Sequence, residues 1–203
     1  MLALILLLAC SQPADPAPPE AGAAATAAAT ASAPTSHHPA FQAIMVRHTH
    51  QGSDPEVVLH LWLEAIYLME SDDPALRDAG EQALVALSLP LREDKEWRHR
   101  HSNVLFLDRI ANQQHIFRSY AAGTSPEDGY AVDPAQFQIE ITRRDEAEPG
   151  APLRLYIRSS GADSPRPVSL KRSTTTGRYY LWEWSSLYVG VRKPHLPGEE
   201  RFE

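Results

Sequence analysis

The apolar residues of this chain change their period once, near Pro134, and that change constrains the fold more than any other feature. Upstream they recur at helical spacing. Asp54 can cap a helix whose first position suits Pro55, and Val58, Leu61, Trp62, Ala65, Ile66 and Met69 follow at intervals of three and four. Asp73 and Pro74 repeat the same start ahead of Leu76, Ala79, Ala83, Leu84 and Leu87, with Pro90 as the stop. Only a few polar residues join the two, which predicts a helical hairpin. A third helical stretch runs from Asn103 through Val104, Leu107, Ile110 and Ala111 toward Phe117, its stripe narrowed by Asp108, Gln113 and Gln114. Downstream the period is two. Phe137, Ile139 and Ile141 alternate with Gln138, Glu140 and Thr142, as do Leu153, Leu155 and Ile157, then Val168 and Leu170, then Tyr180, Trp182 and Trp184. Gly177 marks a hairpin between the last two strands. Helices first and strands afterwards predict an α+β domain with a mostly antiparallel, curved sheet.

That domain is predicted to occupy residues 41–203. Between Ser11 and Ala40 the chain is mostly Ala, Pro, Thr and Ser, with no aromatic and no aliphatic residue larger than Ala. Such a segment cannot bury enough surface to offset the entropy of ordering, and it reads as a disordered tether. About thirty residues of it give a mean reach of some 30 Å. Before it, MLALILLLA at 1–9 is too short to span a bilayer, yet long enough for the apolar stretch of an export signal. Leu7, Leu8, Ala9 and Cys10 resemble a lipobox, which implies signal cleavage and lipidation of Cys10. The alternative is an ordinary signal peptide discarded with its cysteine. One departure from the pattern is that no Lys or Arg precedes the leucines, as when an assigned start lies downstream of the true one. Ser11 rather than Asp after the cysteine implies outer-membrane sorting in a Gram-negative cell.

Cys10 is the single cysteine, so with it lipidated no thiol remains for a disulfide or a nucleophile. The formal net charge is −7, of which Asp15 and Glu20 in the tether supply two, leaving −5 for the rest. That balance argues against a nucleic-acid partner. His48 and His50, and His99 and His101, are spaced i, i+2, which on an extended segment puts both rings on one side as a metal would need. Arg47, Arg98 and Arg100 beside them oppose a divalent cation, and no metal or other cofactor is expected.

The candidate binding residues are Ser159, Ser160, Asp163, Ser164 and Arg166 between two strands, with Trp182. Functionally, Arg166 presents a donor fork to an anion, the serines offer hydroxyls and Asp163 orients the guanidinium. Structurally, the same residues make a tight loop in which Gly161 takes positive φ, Asp163 and Ser164 bond nearby backbone and two prolines stiffen the exit. Glu127 and Asp128 of a second polar loop, 123–130, would face Arg166 if the loops fold together. Tyr180, Trp182 and Trp184 would share one sheet face, either as core or as an aromatic ligand floor.

The runs SYAAGTSPEDGY at 119–130 and LYIRSSGADSPRP at 155–167, with YLWE at 180–183 and GVRKP at 190–194, resemble a family of uncharacterised bacterial proteins marked by an SSGADSPRP-type loop, over residues 55–194. The resemblance implies kinship and supplies no activity. The order of elements is also similar to the cone-shaped folds related to nuclear transport factor 2, which implies a pocket without naming its ligand. No pair of carboxylates and no Ser/His/Asp set stands at a catalytic spacing. The expectation is therefore a non-enzymatic, membrane-tethered cell-envelope lipoprotein, held to the membrane through Cys10, whose domain binds an envelope protein or a small polar ligand. Two alternatives stay open: a hydrolase-like envelope enzyme with a pocket near Asp163 and Arg166, and a structural envelope component.

Overall fold

The protein, studied as a computed structural model, is described over residues 38–145, 148 and 150–195. Cys10, the run before it and the tether as far as residue 37 lie outside the described residues.

Order begins earlier than composition predicts. Helix α1, Pro39–Gln51, starts inside the expected tether, with His38 Nδ1 accepting from Ala40 N at 3.2 Å. Among its residues only Ile44 and His48 are buried, while Phe41 and Met45 pack partly. So narrow a stripe leaves little periodicity to read. Helices α2, Pro55–Met69, and α3, Pro74–Leu87, begin where predicted. The Asp54 and Asp73 carboxylates accept from Glu56 N and Ala75 N, each at 2.9 Å, and each satisfies a backbone donor that the helix leaves open. Pro90 is not the stop of α3. That helix ends at Leu87, Ser88 turns extended, and Pro90 lies in the first turn of α4, Leu89–Glu93, where its missing N–H costs nothing. After a 3₁₀ turn at Trp97–His99 comes α5, His101–Asn112. Phe117, expected on the same helix, belongs to the short α6, His115–Arg118.

Four strands follow: β1 Ile141–Asp145, β2 Leu153–Ile157, β3 Arg166–Arg172 and β4 Tyr179–Glu183. They pair antiparallel in the order β1-β2-β3-β4. β1 and β4 are the two edges and do not pair, so the sheet is not closed into a cone. Residues 137–140 keep the predicted alternation of burial but are not part of the ladder, and Gln138 O is taken instead by Ala122 N at 2.8 Å.

Helix α2 is apolar almost all round, and accordingly it is buried on nearly every side. Trp62 at its centre is fully buried, donates Nε1–H to Ser88 Oγ at 2.9 Å, and packs its ring against Phe106, Phe117 and Trp184. Leu155 and Ile157 of β2, Val168 and Leu170 of β3 and Leu181 of β4 close this core from the sheet side. Gly177, at φ +71°, turns the β3–β4 hairpin as predicted.

The hairpin is not regular. Leu170 pairs with Leu181 but Ser169 pairs with Glu183, so Trp182 is the extra residue of a bulge. Tyr180, Trp182 and Trp184 therefore do not share a face. Leu181 and Trp184 enter the core at 0% and 7% exposure, whereas Trp182 turns outward at 36%.

Candidate binding site

The loop singled out from sequence is used mostly to join the helical and sheet halves. Ser159 is buried, its Oγ 2.7 Å from Ser119 Oγ, and it accepts from Gly161 N at 3.2 Å. Because Ser119 donates its own hydroxyl to Ile116 O at 2.7 Å, Ser159 is the donor of the serine pair. Ser160 N and Oγ both donate to Ser119 O, at 2.9 and 3.1 Å, and Thr124 Oγ1 lies 3.0 Å from Ser160 Oγ. The space left at this seam is about 70 Å³.

Asp163 and Ser164 sit exposed at the loop tip and make no hydrogen bond or ion pair among the described residues. Arg166 opens β3, and its Nη2 donates to Gly190 O at 3.1 Å while its Nε is buried without a partner among the described residues. The expected Asp163–Arg166 pairing is thus not formed. Nor do the acidic residues of the second loop face Arg166, since Asp128 Oδ1 accepts from Ser125 N and Ala131 N, and Glu127 pairs with His195. Gly161 does not take positive φ either. What it supplies is room, because a Cβ there would meet the Tyr130 hydroxyl and lie 2.7 Å from Val191 Cγ1.

The histidine pairs are not on extended segments. On α1 the i, i+2 spacing turns the rings apart: His48 points inward, with Nε2 2.9 Å from Tyr179 O and its pKa lowered chiefly by burial, while His50 is exposed. Among the described residues no three His, Cys, Asp or Glu side chains are grouped to hold a metal.

Of the six candidate residues, Ser160 borders the small space at the seam, and Trp182 lines a larger, more open depression. The alternation of β2 and β3 that buries Leu155 and Val168 puts Arg154, Ser169 and Lys171 on the opposite face, where the bulge also delivers Trp182. A depression of about 370 Å³ crosses all four strands there, lined by Asp145, Pro152, Arg154, Ser169, Trp182 and Glu183. Lys171 Nζ rests 3.1 Å from the centroid of the Trp182 ring. A cation–π contact at an exposed site is worth about 0.5–1 kcal/mol, so a ligand can lift the ammonium off the indole cheaply.

Beside the depression, Arg143 stacks its guanidinium 3.6 Å over the Tyr156 ring and pairs with Asp145 at 3.1 Å, and the Tyr156 hydroxyl donates to the same carboxylate. Arg154 and Lys171 have no carboxylate partner among the described residues. Glu183 Oε1 accepts from Ser185 N at 2.6 Å. Ser169 is 8% exposed and its hydroxyl has no partner among the described residues. Together these side chains offer hydrogen-bonding and charged groups to a polar ligand. Every polar member of this group occupies an outward strand position, which the period-two pattern could have shown. Their adjacency depends on strand order and on the bulge.

A family model described as a domain of unknown function (DUF6935) matches residues 37–195. No curated protein matches the chain, and no solved structure does.

Proposed function

The chain belongs to the DUF6935 family of domains of unknown function, and since kinship passes on no activity, we propose from its chemistry that it is a membrane-tethered binding protein of the cell envelope. In this reading a lipid on Cys10 anchors it, residues 11–37 give it reach, and the outer face of the sheet around Trp182 holds a polar ligand. The observation that carries the binding role is the exposed indole with an ammonium resting on it and, lining the same depression, a guanidinium with no carboxylate partner among the described residues. A solvent-facing aromatic beside cations that no carboxylate of the described residues neutralises is surface suited to a ligand. The anchor is supported by the lipobox-like Leu7–Cys10.

Two measurements test the two halves. Expressed with its native signal, the wild-type protein is expected in the membrane fraction and Cys10→Ser in the soluble fraction, and an unacylated amino terminus found elsewhere by mass spectrometry would sink the anchor. For the site, the other three tryptophans are buried, so ligand-dependent emission reports chiefly on Trp182. Titration with a panel of soluble glycans and short peptides is expected to change the emission of the wild type but not of Trp182→Phe. A response that persists unchanged in Trp182→Phe, or none at all, would remove this face as the site.

A further inference from the structure

We infer that the ligand of the sheet face is an acidic glycan, a chain of pyranose rings bearing carboxylates at intervals; the inference rests on the binding reading above and names its ligand class. The flat apolar face of an exposed indole complements the C–H face of a pyranose ring, and Trp182 offers such a face once Lys171 is displaced. The displaced ammonium then has a carboxylate to meet. Arg154, which lines the depression, supplies a second cation with a planar fork suited to a carboxylate.

Charge pattern separates a glycan from the other polyanions that aromatic and basic sheets bind. Asp145 and Glu183 line the same depression as Arg154 and Trp182. Asp145 is paired with Arg143, but a nucleic-acid strand carries a phosphate at every residue and would bring its charge against Glu183, which has no cation partner among the described residues. A sugar chain instead donates hydroxyls to Asp145 and Glu183, while its sparser carboxylates reach the two cations. Ser169, with its hydroxyl unpartnered among the described residues, adds a donor and acceptor in the floor. Form agrees with chemistry: the depression is near the small end of ligand sites at about 370 Å³, and it lies across the strands, as suits one or two rings of a chain resting on the sheet.

The test uses the full mature protein and three soluble probes: an oligogalacturonate of about eight residues, the same oligomer fully methyl-esterified, and an oligothymidylate of similar length. Calorimetry and Trp182-dependent emission are read for the wild type, Arg154→Gln, Lys171→Gln and Trp182→Ala. The acidic oligomer is expected to bind at least tenfold more tightly than its ester, Arg154→Gln and Lys171→Gln each to lose most of that preference, and Trp182→Ala to lose both sugars. Equal binding of acid and ester, still abolished by Trp182→Ala, would overturn the acidic class and leave the site standing. Binding of the oligothymidylate alone would replace the glycan with a nucleic acid. No response to any probe would overturn the glycan and count against the face itself.

Discussion

Glu70 is the side chain most at odds with its surroundings. It caps the C-terminal end of α2 with 4% of its side chain exposed, Oε2 accepts from Arg118 Nε at 2.8 Å, and Oε1 is buried without a partner among the described residues. Burial outweighs the pull of Arg118 and raises its pKa from 4.5 to about 7. The folded protein therefore keeps a proton that the unfolded chain releases above about pH 4.5. Stability from this group is fully present below that value and declines as pH rises to about 7, by on the order of 2–3 kcal/mol. Urea midpoints measured from pH 4.5 to 8 are expected to show the decline in the wild type and a flatter profile in Glu70→Gln, and parallel profiles would refute it. The seam serines are expected to behave differently from the loop tip. Ser159→Ala leaves the buried Gly161 N without an acceptor and is expected to cost about 1–3 kcal/mol in denaturant unfolding. Asp163→Ala, at an exposed position without a partner among the described residues, is expected to stay within about 0.5 kcal/mol. Were the two to cost the same, the division of the loop into seam and tip would be wrong.

At the scale of elements, the local rules that start α2 and α3 are strong enough to act alone. Asp54→Ala and Asp73→Ala are each expected to lower stability by about 1 kcal/mol, read by thermal melts, because each removes a hydrogen bond to an open helical N–H. The β3–β4 hairpin depends on two irregular features. Gly177→Ala is expected to cost about 1 kcal/mol for its positive φ. The bulge at Trp182 has the larger consequence for function, since it places Leu181 and Trp184 in the core and leaves the residues between them on the outer face. Without the extra residue the strand would alternate, and Trp184 and Trp182 would compete for one side.

For the whole molecule, the expected boundary between tether and domain moves toward the amino terminus. Ile44 and His48 of α1 are buried, and Gly52 O, just past its end, accepts from Tyr179 N of β4 at 2.7 Å. A chain beginning at Thr35 is expected to melt within error of the full-length chain, given the composition of what precedes it. A chain beginning at Ser53 is expected to melt several degrees lower, because Ile44 and the α1–β4 contact are both lost. A large loss in the first chain would mean that the tether packs on the domain. Unchanged melting of the second would make α1 an ornament.

Composition and periodicity were sufficient for whatever depends on near neighbours along the chain. The α+β order, the two capped helices, the alternations of Leu153, Leu155 and Ile157 and of Val168 and Leu170, and the Gly177 turn all follow from interactions within a few residues. Helix α1 was not legible, because its narrow apolar stripe acquires meaning only against α2, α3 and β4. The candidate site divides in the same way. Trp182 stood out as an aromatic in a strand, and the SSGADSPRP loop as a dense polar run. Whether Ser159 faces solvent or Ser119 depends on a residue forty positions away, and whether Trp182 meets Arg154 and Asp145 depends on strand order and one bulge. Those are long-range pairings, and no local propensity encodes them: tertiary packing alone decided that the loop became a seam and the outer face of the sheet became the open surface.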